Sequence, residues 1–387
     1  MKLTIDRSVL SAALATVKSV VPSKSNLPIL THFLLHQKGS ELDVTACDLD
    51  ITVRTTVGCT NTAKKIDSSC TVPAALFASL VGQLTDAPIE LELVKHQLKL
   101  SSGSSTYHFG TMDPGEYCAF PDLKNPVEFD LPQAVLRQLL SQTSFAQSSD
   151  DSRYVLCGSY MQVNGKLTVV ATDGRRIAVE DADVEKDLPE TNMLMPIKAV
   201  RELQRLLAGE PKEGESVAPP VRVAIAANMG RFTLQDTVFI TKLTEGTYPN
   251  YKAVIPEARQ GVLIARADLL GAVKRVSLVS ETCILEFDRY TLTVRSGKEK
   301  EGSGEGMETL PIPCSPPSGQ HSCCSDSPKA TVSFNGQFMI EALDAIEDDQ
   351  ICIQVADEIT PALLTAPGKT WQCAIAPIRL VKPEATI

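Results

Sequence analysis

One pattern occurs twice in this chain, and its spacing divides the whole length. Leu167-Thr-Val-Val-Ala-Thr-Asp-Gly-Arg-Arg-Ile-Ala-Val-Glu180 climbs through β-branched residues to an aspartate, turns a polar corner and resumes an alternating run. Leu42-Asp-Val-Thr-Ala-Cys-Asp-Leu-Asp-Ile-Thr-Val-Arg54 does the same. Each reads as a strand pair pivoting on Asp173 or Asp48. The two aspartates are 125 residues apart and the chain has 387, close to three such intervals. The expected architecture is therefore three similar units.

Other landmarks keep the interval. Leu10, Leu14, Val17 and Val21 mark one face of a helix, and a second helix opens at Val72-Pro-Ala-Ala-Leu76 with Phe77, Leu80, Val81 and Leu84 on its apolar face. Unit two repeats the order with a helix over 132–143 and another opening at Met195-Pro-Ile-Lys-Ala-Val200; Pro73 and Pro196 are 123 residues apart. Strands are expected over 29–36, 42–57, 89–94 and 98–107, then over 154–163 and 167–179. Turn-rich exits close the first two units at Pro121 and Pro256. Unit three opens at Gly261, with Asp268 as the expected N-cap of its first helix, a second helix over 335–346, and strands over 351–355 and 371–378. The expected domains are 1–125, 126–257 and 258–387, the last carrying a Gly/Ser/Pro-rich surface loop at about 302–328.

Composition excludes several classes. No apolar run approaches the length that spans a bilayer, and Met1-Lys-Leu-Thr-Ile-Asp lacks a leader pattern, so a cytoplasmic protein without membrane association is expected. Eleven cysteines, mostly single, suit reduced thiols better than a disulfide framework. A net charge of −10 argues against a surface coated in nucleic acid but leaves room for a basic stripe on one face. There is no Gly-rich phosphate loop, no dinucleotide fingerprint and no His-Glu-x-x-His, and the five histidines are dispersed. Asp43, Asp48 and Asp50 read as turn carboxylates, and Cys314, His321, Cys323 and Cys324 lack a zinc spacing. No catalytic residue, cofactor or metal is expected.

Leu27-Pro-Ile-Leu30, Ala171-Thr-Asp-Gly-Arg-Arg-Ile177, Tyr248-Pro-Asn-Tyr-Lys-Ala-Val-Ile-Pro256, Phe334-Asn335 and Ala376-Pro-Ile-Arg-Leu380, in that order over nearly the whole chain, resemble the bacterial sliding clamp, the beta subunit of DNA polymerase III. The resemblance implies an α+β fold of three clamp domains, each with two helices packed on antiparallel sheets. Two chains would close head to tail into a six-domain ring around duplex DNA, joined near Tyr107 and Phe109 of one chain and Leu278 and Val279 of the other. It implies a processivity factor rather than an enzyme, bound by the polymerase III alpha subunit, the clamp loader, and other polymerases and repair proteins through short linear peptides. The matching peptide-cleft positions are Leu156, Thr172, Gly174, Arg175, Arg176, Ile177, Pro249, Val254, Ile375, Ala376, Pro377, Ile378 and Arg379. Aliphatic walls with arginines at the rim suit an apolar peptide. Ala376 and Ile378 stand where the family usually has methionine.

The residues themselves suggest what lines such a ring. Lys198, Arg201 and Arg205 follow each other by three and four on one helix face, opposite Val200, Leu203 and Leu207. With Lys24, Arg137, Lys274 and Arg275, and by family analogy Arg153 and Tyr154, they are the candidate DNA contacts, able to hold phosphates without reading bases. Glu341 and Asp344 make the second helix of unit three an acidic exception. The alternative is a divergent scaffold of the same fold that binds peptides without encircling DNA.

Overall fold

The computed structural model describes residues 1–62, 67–185, 188–209, 216–257, 261–288, 290–297, 304–312 and 330–379. Cys314, His321, Cys323 and Cys324, with most of the expected insert, lie outside them, as does Leu380. Six helices are described: α1 (Arg7–Lys18), α2 (Ala74–Gln83), α3 (Gln133–Ser141), α4 (Ile197–Leu206), α5 (Arg266–Ser277) and α6 (Gly336–Asp344). Apart from the two-residue strand Thr60–Asn61, the elements run three times through one order: a strand, a helix, four strands, a helix, three strands.

Each first helix follows a short strand, Lys2–Ile5, Val127–Leu131 or Val262–Ala265, that the sequence reading missed. Four or five residues carry too little alternation to announce a strand. Residues 28–31 form a 3-10 turn, with proline at its start, where a strand was expected. Residues 151–156 are likewise a 3-10 segment, and the strand begins only at Gly158, where a Cβ would come within 2.2 Å of the Met195 carbonyl oxygen. Asp268 is not the cap of α5. The helix starts after Ala265, and Asp268 sits in its first turn, where a carboxylate faces the positive end of the helix dipole.

The strands form two compact units, 1–137 with 198–243 and 138–197 with 244–387. In the first, five strands (Thr60–Asn61, Lys2–Ile5, Ile89–Val94, Gln97–Ser102, Ser105–Gly110) make one sheet. Its other sheet has eight, in the order Val127–Leu131, Val221–Ile225, Met229–Leu234, Thr237–Lys242, Ile51–Gly58, Glu41–Cys47, His32–Lys38, Asp67–Pro73. The second unit also has an eight-stranded sheet: Thr191–Pro196, Gly158–Val163, Lys166–Thr172, Arg176–Asp183, Gln372–Ile375, Ala362–Thr365, Gln350–Gln354, Val262–Ala265. Its four-stranded sheet runs Met307–Pro311, Thr291–Ser296, Thr282–Phe287, Ala330–Asn335. The middle repeat thus gives one sheet to each unit, and each continues into a neighbouring repeat through a single antiparallel seam. In the first unit Thr241 pairs with Ile51 and Thr237 with Thr55; in the second Arg176 pairs with Ile375 and Val179 with Gln372.

The corner aspartates close both strand pairs in the same way. Asp48 Oδ1 accepts hydrogen bonds from the N–H of Asp50 (3.0 Å) and Ile51 (2.7 Å); Asp173 Oδ1 accepts them from Arg175 (2.8 Å) and Arg176 (3.0 Å). The residue after each aspartate is left-handed, Leu49 at φ 80° and Gly174 at φ 84°. Glycine adopts that conformation freely, whereas leucine is strained there by about 1–2 kcal/mol. In the third repeat the corresponding connection, 297–306, contains no aspartate. Its ends are tied by Ser296 N–H donating to the Gly306 carbonyl (2.8 Å) and Gly306 N–H to Ser296 Oγ (2.9 Å).

Candidate functional site

The seam in the second unit borders a cleft. Arg176–Asp183 and Gln372–Ile375 pair along it, and the Ala376 N–H prolongs the ladder by donating to the Arg175 carbonyl at 2.8 Å. A cavity of about 140 Å³ opens beside this end of the seam, lined by Thr172, Gly174, Arg175, Arg176 and Ile177 on one side and by Val254, Pro361, Ala374 and Ala376 on the other. A neighbouring cavity of about 160 Å³ shares Pro361 and runs along Pro256, Glu257, Val355 and Leu363. Each is smaller than the 300–1,000 Å³ that encloses a drug-sized ligand, so the pair suits successive side chains of an extended segment.

Seven of the thirteen expected cleft residues line the first cavity. Leu156 is buried behind it in a cluster with Val170, Ile177, Leu194, Tyr248, Tyr251, Leu363 and Ala374. Ile375 belongs to the core of the third repeat. Pro249, Ile378 and Arg379 are exposed and Pro377 half-buried, and none of the four lines this cavity. Pro361, Leu363 and Ala374 were not anticipated: they are small or aliphatic residues with no local signal, brought to the seam by long-range pairing. Val254 is 57% exposed, an apolar side chain left open to solvent at the cleft mouth.

Arg176 does not belong to a polar rim. It is buried, with Nε on Asp173 Oδ2 (3.1 Å), Nη2 donating to the Phe145 carbonyl (2.7 Å) and its guanidinium 4.4 Å over the Phe338 ring. Nη1 lies 2.5 Å from Glu341 Oε2 but out of line for a hydrogen bond, so that contact is ionic. A buried guanidinium needs such partners, and here they tie the cleft wall to α6. Arg175 and Arg379 are the exposed arginines of this group.

Glu180, on the same seam strand, is 5% exposed. Thr370 Oγ1 donates to its Oε1 (3.1 Å), while Oε2 is buried without a hydrogen bond. Burial pushes the carboxyl up to about 7. The unfolded chain ionises near 4.3, so stability falls as pH rises from there to 7, and above 7 the full penalty of about 3 kcal/mol stands. Glu180→Gln is expected to raise Tm by roughly 5–10 °C at pH 8 and to leave it nearly unchanged at pH 4.5. Thermal melts at both pH values decide; an equal shift at both would exclude this ionisation.

Most candidate DNA contacts are occupied by the protein's own groups. Lys198 pairs with Asp48, Arg205 with Glu202 (3.1 Å) and the Thr16 carbonyl (2.6 Å), and Lys274 with Asp344 of α6 (3.0 Å). Arg275 forks onto Glu308 at 2.6 and 2.5 Å, a contact that holds the Glu308 carboxyl below its usual range. Arg137 donates to the Leu207 carbonyl (3.1 Å), and Arg153 pairs with Asp150 (3.1 Å). Tyr154, Lys24 and Arg201 are exposed. The basic helix face predicted on α4 exists, but most of its charge is locally balanced.

At the candidate chain-to-chain surfaces, Leu278 is 88% exposed just beyond α5 and Val279 is half-buried. Tyr107 is 37% exposed on the sheet-edge strand Ser105–Gly110. Phe109, two residues on and on the same strand face, departs from the expectation: it is buried edge-on against Phe77 of α2, ring centroids 5.2 Å apart, as a core residue. Among the described residues no helix is long and apolar enough to cross a membrane, and no group of three or more His, Cys, Asp or Glu side chains could hold a metal ion.

The N-terminal-domain model of the DNA polymerase III beta subunit matches residues 1–121, and the central-domain model matches 130–250. The chain is 29% identical over 389 residues to the beta sliding clamp of Chlamydia pneumoniae, covering 98% of this chain and 99% of that one. It is 27% identical over 390 residues to that of Escherichia coli K12, covering 98% and 100%. The crystal structure of the Pseudomonas aeruginosa polymerase III beta subunit superposes with a TM-score of 0.88 at 25% identity, over 98% of this chain and 100% of that one. Two successive domain matches, full-length relatives and one shared fold leave a single conclusion: the chain belongs to the sliding-clamp family of DNA polymerase III beta subunits.

Proposed function

We infer that the protein is a DNA polymerase processivity factor: a non-catalytic clamp that works as a ring-shaped homodimer, encircles duplex DNA in the cytoplasm and tethers its partners by peptide. The observation that carries this reading is the rule its seams obey. Ile51–Gly58 pairs with Thr237–Lys242, and Arg176–Asp183 with Gln372–Ile375; each seam joins the third strand after one repeat's first helix to the last strand of the next repeat. The strands left over by that rule are Met307–Pro311 and Ser105–Gly110, and both are sheet edges. An unpaired edge is a template for another strand. A second copy would supply each edge with the other, twice, and close six units, taken as 1–125, 126–257 and 258–387, without an open end.

The fit between cleft and peptide supports the tethering half. Apolar anchors of a partner segment enter beside Val254 and Ala376, with Arg175 and Arg379 available to its polar or acidic residues. The polymerase III alpha subunit, the clamp loader, and other polymerases and repair proteins are the partners this reading expects. A topological assay tests the ring: protein loaded on circular duplex should survive high salt and leave when the circle is cut. Release by salt alone would favour a scaffold that never encircles DNA.

Direct DNA affinity should be weak. Arg201→Ala is expected to reduce the slope of log K against log salt by about one, while Arg275→Ala, whose fork already holds Glu308, should change it little. Anisotropy titrations on a short duplex at several salt concentrations measure both slopes, and equal losses would refute this division of roles.

A further inference from the structure

We propose that Cys47 and Cys118 form an oxidisable dithiol, a modification site in which hydrogen peroxide closes an intrachain disulfide between the first repeat's corner and its exit segment. Cys118 packs against the small buried cluster that holds Cys47, whose Sγ accepts from Leu49 N–H (3.3 Å) and Thr52 Oγ1 (3.3 Å). Both cysteines pack in one small cluster with Ile29, Leu30 and Tyr117. Two donors converging on one sulfur, with a second thiol packed in the same cluster, favour its thiolate. Cys118, Thr52 and Leu49 together outweigh burial and the nearby Asp48 carboxylate and hold Cys47 down to about 6, while Cys118, as the donor, is pushed up.

The second repeat supplies an internal comparison. Cys47 is the counterpart of Thr172, 125 residues on, and Thr172 Oγ1 accepts the Gly174 N–H at 3.1 Å as Cys47 Sγ accepts that of Leu49. The turn therefore needs only an acceptor, which a hydroxyl provides. Cys118 follows Tyr117 in the first exit as Pro249 follows Tyr248 in the second. A thiol pair thus stands where the second repeat has threonine and proline, and the geometry of the turn does not call for sulfur.

Cys47 is 2% exposed, which restricts the oxidant to a molecule near the size of water, while Cys118 is half-buried. The Cys47 thiolate attacks one peroxide oxygen, the O–O bond breaks and hydroxide leaves, giving a sulfenic acid. Cys118 sulfur then attacks the Cys47 sulfur, forming the S–S bond and expelling the hydroxyl, which leaves as water with the Cys118 proton; the proton Cys47 released on ionising neutralises the first hydroxide. Two thiols lose two electrons, and one peroxide becomes two waters.

The full-length protein is treated with hydrogen peroxide, alkylated, digested and analysed by mass spectrometry. A dithiothreitol-reversible crosslink between the Cys47 and Cys118 peptides is expected, and in Cys118→Ser a dimedone adduct on Cys47 instead. Cys47→Thr installs the residue the second repeat uses at this corner and so preserves the turn; in it, oxidation of Cys118 should fall at least tenfold. Cys118 oxidising at an unchanged rate in Cys47→Thr would overturn the proposal, as would Cys47 crosslinked to another cysteine, or Cys47 left reduced while exposed thiols are oxidised.

Discussion

Replacing Leu278 by aspartate is expected to convert the homodimer to monomers. The side chain stands almost wholly in solvent on the single chain, beyond the last turn of α5. In a ring closed through the edges Met307–Pro311 and Ser105–Gly110 it would be covered, and a carboxylate there would be buried unpaired at a cost of about 3–5 kcal/mol, roughly a thousandfold in dimer dissociation. The substitution should leave the isolated fold intact, because the Leu278 side chain stands in solvent there. Sedimentation velocity across a concentration series reads the result. A Leu278→Asp protein that remains a dimer at micromolar concentration would remove this surface from the interface.

The second large effect concerns the cleft. Val254→Asp should weaken a partner peptide with leucine and phenylalanine anchors by about 2–3 kcal/mol, from an affinity on the order of −8 kcal/mol. Tethering through such a site raises the polymerase's effective concentration at the primer end, so processive synthesis should be lost along with it. Dimerisation and retention on circular DNA should persist, because Val254 lies on neither of the edges Met307–Pro311 and Ser105–Gly110. Calorimetry beside a loading assay separates the two halves. Unchanged peptide affinity in Val254→Asp would remove this cleft from the tether.

How far the sequence foretold these features depended on how local their causes are. The corner at Asp173 was legible because its aspartate bonds to N–H groups only two and three residues away, and the same chemistry recurs at Asp48. Helix faces were legible from periodicity: Leu10, Leu14 and Val17 are all buried. Arg176 was misjudged because an arginine in a polar corner reads as a surface residue until Glu341 and Phe338, far along the chain, close over it. The balancing of Lys274 by Asp344 and of Arg275 by Glu308 was hidden for the same reason, although the acidic character of α6 hinted at it. Phe109 shows the limit of strand alternation, which puts it on one face with Tyr107 and cannot say that α2 covers only one of them.

The missing corner aspartate of the third repeat has a mechanical consequence. In the first two repeats that carboxylate clamps the opening residues of the strand that enters the seam, so the strand is already in position when its partner arrives. Met307–Pro311 begins instead from a connection whose described ends are tied through Ser296 and Gly306 and by Gly297 N–H donating to the Thr282 carbonyl (2.8 Å). A ring built on these three kinds of joint would have two whose entering strand is fixed at its start by a corner carboxylate and one whose strand, though paired with Thr291–Ser296 in its own sheet, lacks that aspartate. The joint between chains would then be the least fixed of the three and the first to part under load. DNA would then enter where the polypeptide is already discontinuous, and no folded repeat need come apart to admit it.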